Sequence, residues 1–150
     1  MEARMKNPAE IIPAVMKPIQ ELIKAAHSQG LPRELLELVH LRISQINGCS
    51  FCVAAGLTSL RKLGESEERI GLVAAWREAG YYTDAERAAL ALAEAATRLA
   101  DRPDAVPDHV WDDAADHFDE PQLASLLLMT ATTNLFNRLN VPIRQAPGSW

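Results

Sequence analysis

ELVHLRISQINGCSFCVAAG, residues 37–56, holds both cysteines of the chain and the turn on which its architecture depends. Upstream of the turn, Leu35, Leu36, Leu38, Val39, Leu41, Ile43 and Ile46 recur at helical spacing. Asn47-Gly48 interrupts the pattern. Beyond it, Val53, Leu57, Leu60 and Leu63 resume the helical period until Gly64. The reading is a helical hairpin with Cys49 and Cys52 in the first turn of its second arm.

The same grammar extends in both directions. Asn7 caps a helix that has Pro8 in its first turn and carries Ile11, Ile12, Val15, Met16, Ile19, Leu22 and Ile23, kinked or broken by Pro13 and Pro18. Gly30 ends that run and Pro32 opens the next. Ser66 caps a helix with Glu67 and Glu68 in its first turn, the favourable sign for a helix N-terminus, and Gly80 closes it. Thr83-Asp84-Ala85-Glu86 is a capping box ahead of an alanine-rich helix to about Ala100. Pro103 and Pro107 bracket a loop, residues 108–118 form a shorter helix, and Pro121 starts a last one through Leu139. That last helix is apolar nearly all round, the pattern of an element buried on most sides, and in a small chain this suggests a subunit interface. The tail from Pro142 is expected to lie over the surface or a partner. No stretch shows the strict alternation of a strand. The fold expected is all-α, with about six or seven helices in one domain spanning residues 1–150.

Composition narrows the function classes. The formal charge is -5, with no basic cluster of the kind nucleic acid demands. No run is long and apolar enough to span a membrane. Glu2, Arg4 and Lys6 precede no sustained apolar run, so no signal peptide is read and the expected location is the cytoplasm. In that compartment a lone CxxC points to redox chemistry or metal binding more than to a structural staple.

Cysteines three apart share a helix face and can approach within disulfide distance. At a helix start, free N–H groups and the helix dipole favour the thiolate, the nucleophile for peroxide and for disulfide exchange. Peroxide would give a sulfenic acid first, and a second cysteine one turn away can resolve it to a disulfide. Two plainer readings stand beside this one. Buried free cysteines are often inert, and a zinc site needs four ligands, whereas His27, His40, His109 and His117 are scattered. No metal or cofactor is expected. Glu37 lies twelve residues before Cys49, in the apolar stretch LLELVHL where a carboxylate needs a reason. Whether it reaches the thiols depends on helix rotation, which periodicity does not fix. His40, one turn beyond Glu37, reads as a partly exposed helix residue.

The stretch quoted above, followed by LRKLGESEERI and AAWREAGYYTDAERAALALAEAAT, resembles the AhpD-like or carboxymuconolactone decarboxylase family over roughly residues 30–100, with weaker similarity in NLFNRLNVPIR. The resemblance implies an all-α, oligomeric protein: a dimer, trimer or hexamer. It also implies an alkylhydroperoxidase-like activity in which a CxxC pair works with a glutamate and a histidine in a proton relay. Cys49, Cys52 and Glu37 occupy the positions of the pair and the glutamate. The relay histidine four residues after the second cysteine is here Gly56, and a histidine that some members place just before the second cysteine is here Phe51. Gly56 would leave room for a water, a larger substrate, or a side chain from elsewhere such as His40 or His117, and a histidine returned to position 56 would be expected to speed turnover.

Three functions follow from the resemblance and the residues. The first is a thiol peroxidase or disulfide oxidoreductase acting on a hydroperoxide or other small molecule, with Cys49, Cys52 and Glu37 as its machinery and a dithiol or protein as reductant. The second is a lactone decarboxylase or related acid–base enzyme using Glu37, His40 and Arg42, with the cysteines idle. The third is a redox sensor or other non-catalytic use of the fold.

Overall fold

The computed structural model describes residues 2–101 and 103–149. Among these there are eight α-helices and no strand: α1 (Pro8–Ile11), α2 (Met16–Ala26), α3 (Arg33–Ile46), α4 (Ser50–Lys62), α5 (Glu67–Leu72), α6 (Asp84–Thr97), α7 (Asp108–His117) and α8 (Glu120–Ile143). The all-α expectation holds, with more pieces than the six or seven anticipated. The extra piece arises at Ile12, where the chain leaves helical geometry before Pro13 and separates α1 from α2 by a short 3₁₀ turn. Residues before proline avoid the helical region, which accounts for the break. Pro18 does no such damage, because it sits in the first turn of α2, where its missing N–H has no helical partner to lose. The helix expected to run to Gly80 is also shorter: α5 ends at Leu72 and tightens into a 3₁₀ turn over Val73–Ala75.

α3 is the central element. Leu36, Leu38, Val39, Leu41 and Ile43 are wholly buried, covering almost the full circumference of the helix. α4, α6 and α8 pack around it, and α2 lies against α8. The hairpin is closed by a glycine that only its lack of a side chain makes easy: Gly48 has φ +66°, and the N–H of Cys49 returns to the carbonyl of Ser44 at 3.0 Å. Capping follows the sequence closely elsewhere. Ser66 caps α5 and Thr83 with Glu86 forms a reciprocal box on α6, as expected, while α8 starts one residue before Pro121 behind a second box of Asp119 and Gln122.

α8 departs from its expected role. Its buried face carries Thr130, Thr132, Thr133, Asn137 and Asn140 beside Leu126 and Met129, whereas Leu127 and Val141 are exposed. The threonine hydroxyls are satisfied by carbonyls one turn back, within the helix itself. The two inner asparagines reach other elements. Asn137 bonds Asn47 and Ser44, and Asn140 reaches the cysteines. The helix also runs on through Pro142 to Ile143, where Arg144 turns left-handed at φ 58°, so the tail begins later than expected.

Candidate active site

Cys49 and Cys52 are joined as a disulfide, with their Cα atoms 5.3 Å apart, inside the range such a bond requires. Cys49 is the N-cap of α4, and its sulfur accepts the N–H of Cys52 at 3.3 Å. That is the environment in which a thiol ionises readily once the bond is reduced. The sulfur of Cys52 receives a different donor, the side-chain amide of Asn140 from α8, also at 3.3 Å. The Asn140 carbonyl accepts in turn from the Asn7 amide at 2.9 Å, and Asn7 caps α1 through Ala9. Both asparagines are buried, so the chain binds its first and last helices together at the second cysteine.

The cysteines have little contact with solvent of their own, being 2% and 3% exposed. The polar groups nearest the surface on this side come from α3. Glu37 Oε2 lies 3.4 Å from His40 Nδ1, one turn along the same helix, and both side chains are partly exposed. Ser59 of α4 also bonds the Glu37 carboxylate. Burial pushes the Glu37 pKa up, but the His40 hydrogen bond, the charges of His40 and His27 and the Ser59 hydroxyl outweigh it, leaving the carboxyl more acidic than usual. His27, at the end of α2, shifts down: burial disfavours its charged form more than Glu37 favours it, with Arg33 adding to the depression. His27 Nδ1 is buried without a partner. His27, Glu37 and His40 line a cavity of about 190 Å³ whose apolar walls include Ile23, Met129 and Phe136. A larger hollow of about 920 Å³ between the ends of α3 and α6 and the middle of α8 touches neither the cysteines nor Glu37.

Gly56 lies against this pair. A Cβ built there would stand 3.3 Å from His40 Nδ1 and 3.3 Å from Leu41 Cβ. Of the two histidines considered for that space, His40 is the one that reaches it. His117 is exposed on α7, which packs on α6 and α8. His40 is a partly exposed residue of α3, as the sequence reading had it, and it also touches both Glu37 and the Gly56 turn of α4. A histidine returned to position 56 would set its Cβ 3.3 Å from both His40 Nδ1 and Leu41 Cβ, so a neighbour would have to give by a few tenths of an ångström. Arg42 does not join Glu37 and His40. It pairs with Glu94 of α6, which also accepts from Trp76 Nε1 at 3.0 Å and from Arg77. The organic-acid pocket imagined around Glu37, His40 and Arg42 is thus divided between two sides of α3.

The sequence reading passed over Asn140 and read Asn7 as a helix cap, which it is, without its bond to Asn140. The signal was available: Asn140 follows Thr133 and Asn137 at helical spacing, a polar stripe that only an occupied interior explains. Among the described residues, no group of three or more His, Cys, Asp or Glu is placed to hold a metal ion.

These helices and this cysteine site define the all-α, AhpD-like class of fold, and the chain belongs to the carboxymuconolactone decarboxylase family, whose profile matches residues 13–95. It is 36% identical to the uncharacterized protein YdfG of Bacillus subtilis over 132 residues, 88% of each chain. The solved structure of an Agrobacterium tumefaciens protein of unknown function, proposed as an antioxidant defence protein AhpD, superposes with a TM-score of 0.90 at 31% identity, covering 99% of this chain and all of the other. The debrominase Bmp8 shares the fold at a TM-score of 0.82 and 20% identity, over 93% of this chain and 74% of its own.

Proposed function

We propose that the protein is a thiol-dependent peroxidase or disulfide oxidoreductase, with Cys49 and Cys52 cycling between dithiol and disulfide and Glu37 holding the charge that the proton transfers need. The observation that carries this reading is the cysteine pair at the start of α4, already within bonding distance and provided with a separate hydrogen-bond donor for each sulfur. The Cys52 thiolate attacks the outer oxygen of a hydroperoxide, the O–O bond breaks, and the alcohol leaves after taking up a proton. The sulfenic acid on Cys52 is then attacked by the Cys49 thiol, forming the disulfide and releasing water. A dithiol, as a small molecule or on a partner protein, returns two electrons and two protons. Cys52 is placed first because the Asn140 amide donates to its sulfur. The acid–base alternative is disfavoured by the commitment of Arg42 to Glu94. Location in the cytoplasm and a homo-oligomer built on the exposed Leu127 and Val141 of α8 complete the proposal.

The test is thiol mass spectrometry on fully reduced protein titrated with hydrogen peroxide and with cumene hydroperoxide. The expected result is rapid loss of two hydrogens, reversed by dithiothreitol and abolished by Cys49→Ser or Cys52→Ser. Thiols that stay reduced for hours would refute it.

A further inference from the structure

We infer that His40 performs on α3 the proton transfer for which the family's own position, here Gly56, has no side chain, and that Gly56 is the opening through which it acts. The inference rests on the peroxidase reading and adds a residue to it. Three observations combine.

The first is placement. Glu37 bonds Ser59, and His40 abuts Gly56, so successive turns of α3 meet successive turns of α4 on the face that leads back to Cys52. Residue 56 follows Cys52 by one helical turn, and side chains so spaced sit about 5–6 Å apart. The imidazole against position 56 thus lies one turn of α4 from Cys52, and the proposal sets one bridging water between its Nε2 and the sulfur. Its Nδ1 is 3.3 Å from where a Cβ would begin, so alanine or anything larger at 56 would press on the ring.

The second is orientation. Nδ1 faces Glu37 at 3.4 Å. With Nδ1–H given to the carboxylate, Nε2 is left as the basic nitrogen, and the carboxylate stabilises the imidazolium that forms when it takes a proton. The third is access. The two sulfurs are almost wholly buried, whereas His40 lines the 190 Å³ cavity and remains partly open to solvent. A proton leaving Cys52 needs an intermediary, and His40 is the titratable side chain packed against this turn of α4. The groups facing it are Glu37 from its own helix and the Cys52 turn of α4, with His27 of α2 sharing the cavity.

The step balances simply. His40 Nε2 takes the Cys52 thiol proton through the water, leaving thiolate and imidazolium. The thiolate attacks the outer peroxide oxygen while the O–O bond breaks. The imidazolium returns its proton to the departing alkoxide as alcohol, and His40 is neutral again when Cys52 carries the sulfenic acid.

The experiment follows disulfide formation in reduced full-length protein by rapid mixing with cumene hydroperoxide, in wild type, His40→Ala and His40→Gln. General acid–base help is typically worth about 10²–10⁴-fold, so both variants should slow by about 10²-fold or more. Added imidazole, which fits the space vacated in His40→Ala beside Gly56, should restore at least a tenth of the lost rate. A slow His40→Gln and a rescued His40→Ala establish the transfer. Variants as fast as wild type overturn it, and so does slowing that imidazole fails to relieve, since that would make His40 only a packing residue. Should His40→Ala fail to fold by circular dichroism, imidazole is withdrawn as a criterion and the pH–rate profile of His40→Gln decides: loss of a histidine inflection present in wild type supports the inference, and its retention refutes it. A wild type that forms no disulfide at all would instead overturn the peroxidase reading itself.

Discussion

Replacing Asn140 by leucine tests whether the donor from α8 sets the reactivity of Cys52. Leucine has the branching of asparagine with two bulkier methyls, excludes water and offers no N–H. In the structure it removes one hydrogen bond to sulfur and leaves the buried Asn7 amide without its acceptor. A hydrogen bond to a charged group contributes about 1.5–3 kcal/mol, and one pKa unit corresponds to about 1.4 kcal/mol, so the Cys52 thiol should rise by about 1–2 units. The thiolate fraction near neutrality then falls about 10–100-fold, but a more basic thiolate is also a better nucleophile, with a Brønsted slope near 0.4–0.5, so the net rate falls only about 3–10-fold. The orphaned Asn7 amide costs about 1–3 kcal/mol of stability. In a chain of this length that lowers the melting temperature by about 2–4 °C per kcal/mol. The assay is ultraviolet titration of the thiolate in a Cys49→Ser background, where Cys52 is the sole thiol, together with thermal unfolding. A pKa that moves by less than about half a unit would show that the 3.3 Å contact does nothing for the reduced sulfur, and the reasoning would fail.

Two further outcomes follow from the same side of the molecule. Burial holds the pKa of His27 below 6.5 in the folded state, so its contribution to stability is present above that value and is lost as pH falls from there toward the folded pKa; Glu37, held below 4.5, loses its contribution only at lower pH. Urea unfolding against pH should therefore show two successive declines on acidification, and His27→Phe should remove the first alone; an unchanged first decline would assign it elsewhere. Gly56→Ala would ordinarily gain about 1 kcal/mol of helix stability, but the new methyl meets His40 and the buried Leu41 at 3.3 Å each. The melting temperature should not rise, and a rise of several degrees would show that the helices part at no cost.

The sequence carried the helices because their signals are local. Thr83 with Glu86, Ser66, and the apolar period through α3 each act within one or two turns, and each reappears in the structure. The cysteine pair was legible for the same reason: spacing and a preceding glycine are enough to place two thiols at a helix start. What failed was everything set by rotation or by distance along the chain. The approach of His40 to Gly56 depends on how α3 turns against α4, and periodicity leaves that angle open to a residue or so. Asn140 lies 88 residues from Cys52, and Asn7 lies 133 from Asn140. The polar stripe of Thr133, Asn137 and Asn140 marks an inward face, but no local pattern names the partners it meets. The apolar look of α8 misled for a related reason. Its leucines are numerous enough to mask the threonines and asparagines that in fact face inward.

The tie between Asn7 and Asn140 bears on how the chain comes to life on the ribosome. Cys49 and Cys52 emerge well before α8, which brings the Asn140 amide to Cys52 and is made after the other seven described helices. Until then the growing chain carries two ordinary thiols, one of them still lacking the donor that favours its ionisation. On the proposed peroxidase function, Cys52 would gain its full reactivity only once α8 has docked and brought the Asn140 amide to its sulfur.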